Sequence, residues 1–140
     1  MTDLNAIVAQ ALISPTKLAS LMGSHPDLIR VLDASYAIGA GGLSPETVFD
    51  QMRIKSAQFF DIDAVADQEN PLPHMLPSAD EFAASVSALG ISNDHLVVVY
   101  DQSGIAMAAC RAWWMFRACG RNDVCVLDGG LPAWQKAGLA

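Results

Sequence analysis

The sequence has 140 residues, of which 52% are hydrophobic and 16% charged. That is enough for one domain with its own core, and too apolar for a disordered chain. The formal net charge of −7 excludes the Lys/Arg-driven neutralisation of phosphates on which non-specific nucleic-acid binding depends, but a local field can still receive a small anionic substrate. No run of about 18 apolar residues offers a membrane span. The opening "MTDLNAIVAQ" has an early Asp and no basic stretch, so it does not read as a secretory leader. Cys110, Cys119 and Cys125 are odd in number and lack C-x-x-C spacing. They predict neither a disulfide framework nor a zinc site, and no metal or cofactor is expected. A reducing, cytoplasmic setting is the expectation.

In chain order, Ser14-Pro15 is a helix start, with Leu18, Leu21 and Met22 at helical spacing behind it. "LIRVLDAS" is a short apolar strand ending at Asp33. Gly39, Gly41 and Gly42 mark a loop, and Ser44-Pro45 opens a further short helix. "SAQFFDID" is a second strand ending in acids, followed by a long loop with Pro71, Pro73 and Pro77. Ser78 caps the next helix, with Glu81 completing a capping-box pattern. Phe82, Val86 and Leu89 form its apolar stripe and Gly90 stops it. Leu96–Tyr100 is a strand, and Ile105 to Cys119 reads as a helix closed by Gly120. "DVCVLDGG" is the last strand, and "LPAWQKAG" a final helix. Strands alternate with helices and the strongest are continuous apolar runs. The fold class predicted is therefore α/β: a small parallel sheet with helices on both faces; about four strands are evident, so either a fifth is hidden or the sheet stops there.

Taken together, "VLDAS", "FFDID", "LPHMLP", "LGIS", "VVVYD", "WWMFR" and "VLDGGLPAW" resemble the N-terminal domain of two-domain rhodaneses, the thiosulfate and 3-mercaptopyruvate sulfurtransferases. "LPHMLP" with "WWMFR" resembles the mercaptopyruvate type in particular. The resemblance implies that residues 1–140 are a single rhodanese-like domain, the half of a tandem enzyme that lacks the nucleophile. In that family a Cys of the C-terminal domain carries a persulfide, taken from a small-molecule sulfur donor and handed to a thiol or cyanide. The equivalent position in the N-terminal domain is commonly an Asp, which here is Asp101. The partners implied are those small molecules and a C-terminal rhodanese domain, with no nucleic acid and no membrane. The family commonly has His-Ile-Pro-Gly-Ala before the second strand. This chain has Arg53, Lys55 and Ser56 in place of the His, Pro and Gly.

The candidate residues carry more than one reading. Asp101 sits between a strand and a helix, where α/β folds place reactive groups. A carboxylate cannot carry sulfane sulfur as a thiolate does, so its other reading is an acceptor for loop N–H groups beside the helix dipole. Cys110, mid-helix among apolar neighbours, reads as core. The resemblance implies that His74 and Asp63 complete a proton relay with a Ser of the other domain, useful because loss of sulfur from mercaptopyruvate leaves an enolate that needs a proton. Their structural readings are a loop residue between prolines and a cap after a strand. Arg111 and Arg117 flank Trp113 and Trp114, which read as core and interface anchors. If a partner domain belongs here, this helix or the Pro-rich loop should expose apolar surface.

Two readings from other classes stand beside this one. The chain suits a stand-alone, catalytically inactive interaction module. "FDIDAV" also matches D-x-D-x-[TV] of haloacid-dehalogenase-type phosphatases, with Asp61 as nucleophile and Asp63 as acid/base. That chemistry needs a downstream Lys and an acidic Mg²⁺ site, and after Phe60 the only Lys is Lys136. The "DGG" at 128–130 reads as a tight turn.

Overall fold

Continuous apolar runs form the centre of the sheet, as their lack of alternation demands. The computed structural model describes residues 11–36, 44–72, 75–103, 105 and 107–139. Its strands are β1 (Leu12–Ile13), β2 (Ile29–Asp33), β3 (Gln58–Phe59), β4 (Leu96–Tyr100) and β5 (Val124–Leu127). They form one five-stranded sheet in the order β1-β5-β4-β2-β3, and every pairing is parallel. The helices among the described residues are α1 (Pro15–Ser24), α2 (Pro45–Gln51), α3 (Ile62–Val65), α4 (Ala79–Ala88), α5 (Met107–Ala118) and α6 (Gly130–Lys136). None is long and apolar enough to cross a membrane.

The two layers follow from the period of two along each strand. Leu32, Val97, Val99, Val124 and Val126 face one side and meet Phe82 and Val86 of α4 and Ala112, Met115 and Phe116 of α5. Ile29, Val31, Val98, Tyr100, Cys125 and Leu127 face the other and meet α1, α2 and α6 through Leu18, Leu21, Phe49, Leu131 and Trp134. Covered faces leave no place for polar alternation. On the first side Phe60, Phe82 and Phe116 pack as an aromatic trio, with ring centroids 4.9–6.3 Å apart. Truncating one of them costs about 3–5 kcal/mol.

Helix starts form where the sequence places them. Ser14, Ser44 and Ser78 each accept an N–H from the third residue onward through their side chains, at 3.2 Å, and Pro leads α1 and α2. Three features differ from the sequence reading. The hidden fifth strand is β1, which pairs only Leu12 and Ile13 with Val126 and Leu127 at the sheet edge. "SAQFFDID" shrinks to Gln58–Phe59, because Asp61 accepts N–H groups from Asp63 and Ala64 and starts α3. Cys110 is exposed, not core; the buried stripe of α5 is Ala109, Ala112, Met115 and Phe116, which turns Cys110 outward. The Gly39–Gly42 loop and His74 lie outside the described residues.

Lys55-Ser56 forms the turn that the Pro-Gly pair of the resembled family would form. Ala57 N–H donates to the Ile54 carbonyl at 2.9 Å, and Ser56 has φ +70°, the left-handed third position of a type II turn. An L-residue is strained there and glycine is not. Ser56→Gly should therefore raise stability by about 0.5–1 kcal/mol, a Tm increase of about 2–4 °C in a thermal melt. A lower Tm would contradict the strain.

Candidate functional site

The carboxyl ends of β2 and β4 lie side by side, with Asp33 in register with Tyr100. Asp101 follows Tyr100 and is 2% exposed. Its carboxylate accepts the Ser103 hydroxyl at 2.9 Å and the Ala109 N–H at 3.2 Å. Ala109 belongs to the first turn of α5, whose amides have no partner within the helix. Asp101 supplies this turn with an acceptor from across the loop. The helix dipole favours an anion there. Ser103 Oγ in turn accepts from Ile105 N–H at 3.1 Å. The Asp101 carbonyl accepts Leu131 N–H at 3.0 Å, so one residue joins β4, α5 and α6. Close packing of this corner also needs Gly129, where a Cβ would lie 2.5 Å from that of Ala133.

Beside it, Asp33 gathers donors from distant parts of the chain. Its Oδ1 accepts the Ser35 N–H at 2.9 Å and the Ser35 hydroxyl. Its Oδ2 accepts Gln102 Nε2 at 2.8 Å, and the same nitrogen donates to the Pro45 carbonyl at 3.0 Å. Gln102 N–H donates to Ser35 Oγ at 2.8 Å. The Tyr100 hydroxyl is hydrogen-bonded to Asp33 and also accepts Ile54 N–H. Burial pushes the Asp33 carboxyl above the ordinary carboxylate range; the hydrogen bonds from Ser35 and Gln102 pull it back, and the Asp101 charge adds to the rise. Tyr100 is raised by the same burial and by Asp33. Sequence reasoning placed Asp33 only as a strand end and did not find Ser35 or Gln102. Their partners are 57 to 69 residues away, beyond any local pattern.

Asp63 is exposed in the first turn of α3. It lines a recess of about 260 Å³ with Asp67, Gln68, Asn70, Pro71 and Leu72. His74, two residues beyond that rim, lies outside the described residues. Asp61 spends its carboxylate on capping α3. Among the described residues no group of three or more His, Cys, Asp or Glu is arranged to hold a metal ion.

The cysteines divide by environment. Burial pushes the Cys125 thiol up to about 11 and raises Cys119 as well. Neither supplies the thiolate that sulfur chemistry requires near neutral pH. Cys110 lies on the exposed side of α5, and the first-turn N–H of Ala109 is already bonded to Asp101.

Several large apolar side chains stay exposed: Ile105 at 73%, Met107 at 63%, Leu72 at 60% and Trp114 at 44%. They fall on the β4–α5 loop, on α5 and on the Pro-rich loop. Trp113 is instead anchored, its Nε1 donating to the Val124 carbonyl at 3.2 Å. Arg111 and Arg117 stack over Trp114 and Trp113, 4.7 and 5.0 Å from the ring centroids.

Residues 14–137 match the model of the family described as "Rhodanese-like domain". Thiosulfate/3-mercaptopyruvate sulfurtransferase 1, mitochondrial, of Arabidopsis thaliana is 50% identical over 81% of this chain and 30% of its own. The 3-mercaptopyruvate sulfurtransferase of Rattus norvegicus is 41% identical over 94% of this chain and 42% of its own. The crystal structure of SseA from Escherichia coli, a 3-mercaptopyruvate sulfurtransferase, superposes with a TM-score of 0.82 at 36% identity, covering 93% of this chain and 49% of that one. The chain thus spans less than half the length of each.

If Asp101 is the cap of α5, Asp101→Ala should lower unfolding stability by about 1–3 kcal/mol in urea titration, from the lost cap and the stranded donors. Asp101→Asn, which keeps an acceptor oxygen, should lose less. Equal losses in the two variants would contradict the capping role.

Proposed function

The chain belongs to the rhodanese-like domain family, and from that premise we propose that it is the N-terminal, non-nucleophilic domain of a two-domain sulfurtransferase. The observation that carries the reading is Asp101. The position after β4 faces helix amides suited to a thiolate, and a carboxylate fills it. The persulfide cysteine then belongs to a C-terminal rhodanese domain. The exposed Ile105, Met107, Trp114 and Leu72 give that domain an apolar surface to cover.

In the proposed reaction the thiolate of the partner domain attacks the sulfur of 3-mercaptopyruvate. The carbon–sulfur bond breaks, and its electron pair passes to a pyruvate enolate that must take a proton. His74 is suited to deliver it, since an imidazole is the side chain that can move a proton near neutral pH, and Asp63 to orient the ring. The persulfide sulfur then passes to a thiol or to cyanide. Thiosulfate as donor needs no such proton, so the roles given to His74 and Asp63 bear on mercaptopyruvate, while the donor is 3-mercaptopyruvate or thiosulfate. The thiols of Cys110, Cys119 and Cys125 suit a reducing, cytoplasmic setting. The exposed apolar residues also suit the inactive interaction module, and a downstream reading frame with a Cys-bearing rhodanese loop separates the two.

The chain alone should form no thiocyanate from mercaptopyruvate or thiosulfate with cyanide, and Cys110→Ser should change nothing. Joined to its Cys-bearing domain, His74→Ala should cut mercaptopyruvate turnover by about 10²-fold or more, with a smaller effect on thiosulfate. An unchanged mercaptopyruvate rate would remove His74 from the mechanism.

A further inference from the structure

The backbone of Asp63 is held from both sides. Its N–H donates to Asp61 Oδ1 at 3.0 Å, and its carbonyl accepts Gln68 Nε2 at 2.6 Å. The same nitrogen donates to the Ala66 carbonyl at 2.9 Å and lies 3.3 Å from that of Ala64. We propose that Gln68 is a positioning residue for the acid of the proton relay: it fixes Asp63 against the start of the loop that carries His74. This rests on the relay proposed above for His74 and Asp63, and adds a residue that acts through Asp63.

The need for Gln68 follows from the length of α3, which has four residues. Its flanking bonds run from Val65 N–H to the Asp61 carbonyl and from Ala66 N–H to the Ile62 carbonyl. The last four carbonyls of a helix have no partner within it, and in α3 these include Asp63 and Ala64. So short a helix is not stable by itself. Side chains supply what it lacks, Asp61 at the start and Gln68 at the end. The last turn has no basic residue to serve its carbonyls. An amide nitrogen suits them, because it carries two donor hydrogens.

The same contacts reach the loop. Asp67 N–H donates to the Met75 carbonyl at 2.8 Å, so the segment leaving α3 is tied where it returns. Asp67 Oδ1 accepts Glu69 N–H at 3.1 Å, and Asn70 Oδ1 accepts Leu72 N–H at 3.0 Å. Gln68 follows Asp67 in the chain, and Met75 follows His74. Two hydrogen bonds, Gln68 to Asp63 and Asp67 to Met75, therefore connect the relay acid to the neighbour of the relay histidine. Without the first, α3 keeps its cap on Asp61 and its buried Ile62 and Val65, but Asp63 loses its tie to the loop. Proton transfer depends steeply on geometry. The loss therefore falls on the donor whose enolate needs a proton.

The test is Gln68→Met, which keeps the length of an exposed side chain and removes its donor. In the chain alone, solvent exchange of the Asp67 N–H, followed by NMR, should quicken about fivefold. The Phe82 N–H of α4, bonded to the Ser78 carbonyl, should keep its rate and so report an intact fold. Joined to the Cys-bearing domain, Gln68→Met should lower kcat for mercaptopyruvate about 10-fold, with a smaller effect on thiosulfate and little change in KM. Asp63→Asn in the same protein tests the relay itself. A loss in Asp63→Asn with none in Gln68→Met overturns the positioning role and leaves the relay standing. No loss in either variant overturns both together. An unchanged Asp67 exchange rate, or equal losses with the two donors, also overturns the positioning role, since a plain helix cap would not favour one donor.

Discussion

The junction between β4 and α5 depends on satisfying a first-turn amide of α5 that has no partner within the helix. Asp101 meets that demand from the strand end, with its carboxylate on Ala109 and Ser103 and its carbonyl on Leu131. That one residue joins β4 to α5 and α6. The helix N-terminus that favours a carboxylate equally favours a thiolate, since both are anions. A loop of this shape can therefore persist with or without a nucleophile. What changes is chemistry: a hard oxygen anion cannot hold sulfane sulfur.

The sequence made the sheet centre legible because strands buried on both faces leave an unbroken apolar run, as at Leu96–Tyr100. Serine caps and leading prolines were legible because they act within one turn. β1 was not, since two residues at an edge carry no periodicity. The acids of "FFDID" looked like a strand end, yet Asp61 prefers to cap α3. Cys110 was misplaced because both faces of α5 carry apolar residues, and only tertiary packing shows which one is buried. The turn at Lys55-Ser56, between α2 and β3, forms without glycine, with Ser56 in the left-handed region.

The site divides in the same way. Asp101 was legible from its place after an apolar strand and before a helix. The Asp33–Ser35–Gln102 cluster was not, because parallel topology brings together residues far apart in sequence. Asp63 borders a recess on the first turn of α3, and its pairing with His74 rests on the family resemblance. The exposed Ile105, Met107 and Trp114 belong to the same loop and helix that Asp101 holds in place. The apolar surface proposed to meet a second domain is thereby tied to Asp101.

The central claim is that this rhodanese-like domain shapes a sulfur-transfer site without carrying sulfur. Intact-protein mass spectrometry after incubation with 3-mercaptopyruvate, without added thiol, tests it most directly. The account predicts an unchanged mass for the chain alone, and a gain of one sulfur atom only when a Cys-bearing rhodanese domain is joined to it. A persulfide on Cys110, Cys119 or Cys125 of the isolated chain would contradict it.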